Sequence, residues 1–169
     1  SSWQQLGEDV ATGLRDYFEG ALSADGKTAA VGFDNGLDSE FLRVYRYNGS
    51  SWQQLGDDFN PEAGFISDIS TSYDGNTIAL SSEFYDNATS TYSEYVCVYR
   101  WNGSSWQQIG AKLVGDYSEP SISADGNTLA VSSELEIVRV YGYDGSSWQQ
   151  LGNDIRDDIY ELDEPSISD

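Results

Sequence analysis

The sequence contains no histidine, no methionine and a single cysteine, Cys97. Without a second thiol no disulfide forms within the chain, and without histidine no Cys/His zinc site can be built. General acid–base chemistry would rest on carboxylates and tyrosines alone. Basic residues are scarce: eight Lys plus Arg stand against 29 Asp plus Glu, a formal net charge of −21. A surface of that sign repels nucleic-acid phosphates and anionic membranes, so neither is an expected partner. No apolar run approaches the roughly 20 residues of a membrane span, so no membrane insertion is expected. No segment reads as a signal peptide, and the chain opens at Ser1 without a methionine. The expectation is a processed chain or a segment of something longer. Helical periodicity sustained over two turns is also missing.

What is present is aromatic and repetitive. Phe, Trp and Tyr make up 14% of the residues, which sets the chain apart from acidic disordered sequences. The reading is a folded, heavily solvated protein, of the kind found outside cells or in salty water. The phrase Ser-Trp-Gln-Gln-Leu/Ile-Gly occurs at Ser2–Gly7, Ser51–Gly56, Ser105–Gly110 and Ser147–Gly152. Its tryptophans, Trp3, Trp52, Trp106 and Trp148, are spaced 49, 54 and 42 residues apart. A second phrase, Asp-Gly-Lys/Asn-Thr followed by apolar residues, occupies Asp25–Val31, Asp74–Leu80 and Asp125–Val131. A third, Val-Tyr-x-aromatic-Asn/Asp-Gly-Ser, occupies Val44–Ser50, Val98–Ser104 and Val140–Ser146. Their order never varies. Recurrence at this period signals a repeat architecture.

Each unit parses into four strands, A to D. Ser121-Ile122-Ser123 alternates, Asp125-Gly126 turns, and Thr128–Ser132 is a β-rich strand. After a variable loop come Val138–Tyr143, the Asp144-Gly145 turn, and Trp148–Leu151. Asp-Gly and Asn-Gly supply the positive φ values that tight hairpins require. The fold class is therefore all-β: tandem four-stranded antiparallel blades of a β-propeller. The expected boundaries are a partial blade at 1–7, blades at about 20–56, 65–110 and 119–152, and a partial blade at 165–169. Three complete units are fewer than the four to eight blades that close a propeller. Unsatisfied sheet edges are seldom left open, so the array is expected to continue in the same chain or in another copy.

The Ser-Ala-Asp-Gly-Asn-Thr-Leu-Ala-Val phrase at Ser123–Val131 resembles the PD40/WD40-like propeller repeat. With its Trp-Gln-Gln-Leu-Gly strand, the whole unit resembles the FG-GAP-like and integrin-α-like repeats of secreted proteins. The resemblance covers nearly the whole chain and implies architecture rather than activity. Integrin-like blades carry an Asp-x-Asp-x-Asp-Gly calcium loop, and this chain has none. The turn phrase is also similar to the sialidase Asp-box, but Leu129, Ile78 and Ala29 stand where that box has tryptophan.

In a meandering blade the A–B and C–D turns share one end, and the B–C and D–A connections share the other. Most acidic residues fall in the second set, among them Asp57, Asp58, Glu83, Asp86, Asp157 and Asp158. One face should be strongly negative. A solvated face is the first reading, and attraction of a cation or a basic partner the second. The best local calcium candidate is Asp34, Asp38 and Glu40, oxygen-rich around Gly36 but off any standard loop spacing. No other cofactor is expected. A sialidase-like arginine cluster would draw on Arg15, Arg43, Arg46, Arg100, Arg139 and Arg156, which read as repeat-surface residues. The recurring tryptophans read as packing between blades rather than a sugar platform. Cys97 aligns with Arg43 and Arg139, a position that tolerates charge and so should lie outside the deep core. Three sequons, at Asn48, Asn87 and Asn102, are glycosylation candidates, Asn87 being the one that no hairpin turn explains.

These features lead to an expected non-enzymatic extracellular structural or adhesive repeat protein, self-assembling through its incomplete blade ends. The alternative is a closed propeller that recognises a glycan or protein ligand through its variable loops. A carboxylate-based hydrolase stands third.

Overall fold

The computed structural model describes residues 2–10, 16–34, 40–61, 65–86, 90–115, 117–133 and 137–156. They form three antiparallel sheets. The first contains β1 (Asp16–Leu22), β2 (Thr28–Asp34), β3 (Glu40–Tyr47) and β4 (Trp52–Gln54), hydrogen-bonded in chain order. The second contains β5 (Phe65–Thr71), β6 (Thr77–Asp86), β7 (Thr91–Trp101) and β8 (Trp106–Gln108), with β9 (Leu113–Val114) returning onto β7. The third contains β10 (Tyr117–Ile122), β11 (Thr128–Ser133), β12 (Ile137–Tyr143) and β13 (Trp148–Gln150), with β14 (Ile155–Arg156) returning onto β12. These are the tandem four-stranded blades of a β-propeller. Among the described residues there is no helix, hence none long and apolar enough to cross a membrane. Residues 2–7 form no strand, and the stretch 165–169 lies outside the described residues.

The repeated phrases are turn chemistry. In the first A–B turn the Asp25 carboxylate accepts hydrogen bonds from Ser23 Oγ at 2.6 Å and the Lys27 amide at 2.9 Å. Ser23 Oγ in turn accepts from the Thr28 amide at 2.9 Å. The Ser72–Thr77 and Ser123–Thr128 turns repeat the arrangement. Each serine and aspartate thus closes the hairpin around a glycine at positive φ. The serine hydroxyl holds the carboxyls of Asp25 and Asp125 below their ordinary range. In the C–D turns Asn48, Asn102 and Asp144 each accept, through the side-chain oxygen, from the amides two and three residues further on, which closes the loop. An acceptor oxygen is all this turn needs, so Asp replaces Asn freely.

Strand A bulges once in every blade, at Tyr17/Gly20, Ile66/Asp68 and Tyr117/Pro120. The core lies between the sheets. One cluster joins Leu42 and Val44 of the first blade to Ile66, Ile69, Ile78 and Leu80 of the second. The other joins Ala79, Val96 and Val98 of the second to Leu129, Val131 and Tyr141 of the third. The middle sheet is covered on both faces, so Ile78-Ala79-Leu80 is an unbroken buried run instead of an alternating one.

This placement corrects the reading of Cys97, which is 1% exposed within the first cluster. Its position tolerates arginine in the outer blades for a local reason. Arg43 is bound by Asp58 and Arg139 by Asp154, so each charge is neutralised where it lies. In the middle blade the aligned pair is Cys97 and Lys112, whose ammonium lies 4.7 Å from the centre of the Tyr95 ring.

Candidate functional site: the blade seams and the inner acidic row

Adjacent blades meet through three recurring contacts. In the first, the strand-D indole donates back to the strand-D end of the preceding unit. Trp52 Nε1 bonds the Leu6 carbonyl at 2.8 Å, Trp106 Nε1 the Leu55 carbonyl at 2.9 Å, and Trp148 Nε1 the Ile109 carbonyl at 3.0 Å. The following Gly7, Gly56 and Gly110 have φ near +70 to +79° and lie against the ring. This accounts for the Leu/Ile-Gly at the close of every phrase. Trp3, in the first copy of the phrase, is fully exposed.

The second contact is a threonine seated on a glycine. Thr28, fully buried, packs so closely on Gly75 that a Cβ there would fall 2.2 Å from its own Cβ. Thr77 sits on Gly126 in the same way, with Oγ1 2.4 Å from the Cβ position. In the third contact a strand-C arginine reaches across to the next A–B turn. Arg46 Nη2 donates to Asn76 Oδ1 at 2.8 Å, and Arg100 Nη2 to the Gly126 carbonyl at 2.7 Å and Asn127 Oδ1 at 3.0 Å. Both arginines also donate through Nε to their own blade's threonine, at 3.1 Å.

A second feature lies on the innermost strands. Glu19, Asp68 and Glu119 occupy one register of strand A, each four residues before the serine of the A–B turn, on strands β1, β5 and β10. Strand β5 packs between the other two. Burial pushes the Asp68 carboxyl up, and the charges of Glu19 and Glu119 push it further the same way. A carboxyl so placed retains its proton to higher pH than an exposed one and is suited to proton transfer. Among the described residues no three His, Cys, Asp or Glu come close enough together to hold a metal ion. The row escapes a sequence reading because Glu19 and Glu119 merge into the acid-rich loops before them. Their constant distance from the turn serine is the signal that identifies them. Glu164 stands at the same register in the sequence, outside the described residues.

Among the described residues the arginines do not converge on one site, and Arg15 lies outside them. Arg43 pairs with Asp58 through Nε at 2.6 Å, and Arg139 holds Asp154 with two bonds of 2.8 and 3.0 Å. Arg139 also donates to Tyr117 Oη at 2.8 Å, and that hydroxyl lies 3.2 Å from Tyr141 Oη. Burial, followed by the bond to Tyr117, pushes the Tyr141 phenol up to about 12. Asp58, expected on an acidic face, is therefore ion-paired, as is Asp154, while Asp157 and Asp158 lie outside the described residues. Of the calcium candidates, Asp34 pairs with Glu40 across the β2–β3 ladder and Asp38 lies outside the described residues. Glu40 is 3% exposed, and its carboxylate accepts the Ile66 amide of the next blade. Asn48 and Asn102 are exposed on C–D turns, whereas Asn87 lies outside the described residues.

The Arg139–Asp154 pair gives a pH prediction. The Arg139 bonds hold the Asp154 carboxyl down to about 2. A group depressed on folding contributes stability above its unfolded pKa, near 3.9, and that contribution is lost as pH falls through the folded value. Thermal melts should therefore lose stability between about pH 4 and 2, and Asp154→Asn should flatten that part of the profile. Identical acid profiles for the two proteins would remove the pair from the account.

No family model matches the chain, and no curated relative matches its sequence. Solved structures do. One from Bacteroides fragilis, named as a candidate 6-phosphogluconolactonase, aligns with TM-score 0.58 at 15% identity over 83% of this chain and 39% of its own. Another of the same name, from Bacteroides uniformis, aligns with TM-score 0.59 at 15% identity over 83% and 40%. A third, the Dos1 propeller, gives 0.49 at 11% identity over 79% and 33%. The chain spans about two fifths of the first two. At such identity the likeness concerns the fold. It nevertheless corrects the expectation that the chain is no enzyme. Its blades are shared with structures named for hydrolysis of a lactone, so neither the missing histidine nor the repeat architecture excludes catalysis.

Proposed function

We propose that this chain is an extracellular structural repeat module whose blades continue from one copy to the next. The observation that carries the reading is the reuse of seam contacts, with their unused halves displayed on the outer blades. Gly26 has the positive φ of Gly75 and Gly126, yet no described atom lies within 4 Å of where its Cβ would be. Gly152 likewise has no described ring against it, and Leu151 beside it is 53% exposed, where Leu55 and Ile109 are partly covered. The acidic composition and the exposed sequons at Asn48 and Asn102 accord with a solvated, glycosylated exterior. Negative-stain electron microscopy is the test. Fibres with a regular axial repeat are expected. Discrete rings would replace this reading with a closed propeller that binds its ligand through the variable loops.

A second reading, hydrolysis of a sugar lactone, is favoured by the names of the two Bacteroides structures and by the inner acidic row. Its marker would be turnover of such a lactone that Asp68→Asn abolishes while leaving the fold intact.

A further inference from the structure

The three C–D turns share one backbone and differ in one side chain. Gly49, Gly103 and Gly145 have φ of +102°, +101° and +99°. The amides of Asn48, Asn102 and Asp144 donate to the carbonyls of Ser51, Ser105 and Ser147 at 3.0, 3.1 and 3.1 Å. Asparagine thus opens the first two turns and aspartate the third, and all three residues are exposed.

The asparagine side chains are held in an activating environment. Asn48 Oδ1 accepts from the Ser50 amide at 2.9 Å, Ser50 Oγ at 2.9 Å and the Ser51 amide at 3.0 Å. Asn102 Oδ1 accepts from the Ser104 amide at 2.9 Å, Ser104 Oγ at 3.0 Å and the Ser105 amide at 2.9 Å. Three donors on one oxygen draw electron density from Cγ and would stabilise negative charge developing on that oxygen, as an oxyanion hole does. A nucleophile follows directly in the chain. The amide nitrogens of Gly49 and Gly103 donate to no described acceptor. Beyond the chain neighbours, nothing lies within 4 Å of a Cβ position at either glycine, so a new ring has space.

We propose that Asn48 and Asn102 are sites of intramolecular deamidation, which converts each to the aspartate that the third blade carries. The Gly49 nitrogen bonds to Asn48 Cγ and gives up its proton, the Cγ–Nδ2 bond breaks, and Nδ2 leaves with that proton as ammonia. Water then adds to the cyclic imide, the bond to the Gly49 nitrogen reopens with a proton returned to it, and a carboxylic acid remains that ionises. One water is consumed and one ammonia released, with no change of oxidation state. Gly103 and Asn102 react in the same way. Water can attack either imide carbonyl: attack at Cγ restores the main chain, whereas attack at the other leaves an iso-linked residue. The serine donors polarise the Cγ carbonyl, so the folded turn directs opening to the α-linked aspartate. That product fits without rearrangement, because the Ser147 and Ser146 amides already hold the Asp144 carboxyl well below the ordinary carboxylate range. Each event adds one negative charge, and the two together take the formal net charge from −21 to −23. Each also removes a sequon, since the nitrogen lost is the one a glycan would occupy.

The inference is independent of the assembly reading. Its test is to age the folded wild-type chain, and a guanidinium-unfolded sample, in the same buffer with no enzyme added. Ion-exchange chromatography counts the charges gained, and electron-transfer fragmentation separates α-linked from iso-linked aspartate. The folded chain is expected to gain charge one unit at a time, with α-linked aspartate the main product at Asn48 and Asn102. The unfolded sample should give the iso-linked product in excess, because the turn no longer polarises Cγ. Asn76 and Asn127, which precede threonine and accept from Arg46 and Arg100, should stay amides in the folded chain. The double variant Asn48→Asp/Asn102→Asp should melt no lower than wild type. Retention of both amides in the folded chain, whatever the unfolded sample does, would overturn the inference. An iso-linked excess in the folded chain, or a lowered melting temperature of the double variant, would overturn it too, since the turn would then neither direct the reaction nor fit its product.

Discussion

Replacing Gly75 with alanine should destabilise the chain by about 2–5 kcal/mol. Two effects add. At φ +63° any Cβ meets the left-handed penalty of about 1–2 kcal/mol. The new methyl must also share space with Thr28, which is fully buried and held by its hydroxyl and by Arg46. Overpacking a site that cannot yield costs about 1–3 kcal/mol more. Gly26→Ala is the matched control, with φ +70° and open space around it, and should show only the strain of about 1–2 kcal/mol. Urea unfolding followed by tryptophan fluorescence gives both values. Equal losses for the two variants would mean that the threonine seat contributes nothing to blade coupling.

Trp106→Ala should cost about 3–5 kcal/mol, the range for removing a large aromatic from a packed site. The indole bonds the Leu55 carbonyl, stacks near Phe59 at 6.0 Å between ring centres and meets Trp101 at 5.6 Å. Its loss opens the seam between the first two blades and orphans a carbonyl. Trp3→Ala, in the same phrase, should stay within about 0.5 kcal/mol of wild type, as surface changes do. The side chain of Trp3 is fully exposed. The pair separates the contribution of the seam from that of the residue type. Similar losses at Trp3 and Trp106 would contradict the assignment of these tryptophans to inter-blade contacts.

Much of this architecture is legible in the sequence because tight turns are governed by local chemistry. Ser-x-Asp-Gly-x-Thr and Asn/Asp-Gly-Ser-Ser each close a hairpin with their own side chains, so three copies of each phrase announce twelve strands. The register of Trp52, Trp106 and Trp148 likewise marks one recurring contact. What was not legible depends on neighbours distant in the chain. Arg46 and Arg100 read as surface residues because the acceptors they reach, Asn76 and Asn127, belong to the next blade. Cys97 read as near-surface because its aligned arginines are neutralised by Asp58 and Asp154, fifteen residues further along in each case. Glu19, Asp68 and Glu119 were hidden by the abundance of carboxylates around them. The expectation of a non-enzyme failed for another reason: an absent residue type narrows the available chemistry without closing it, since carboxylates alone can move protons.

The central claim is that the outer blade surfaces carry the unused halves of the contacts that join the interior blades. Sedimentation equilibrium of the wild-type chain tests it most directly. The account predicts a mass that rises with concentration in whole multiples of the single chain and falls back when Leu151→Arg blocks the free seat. A single-chain mass at every concentration would contradict it.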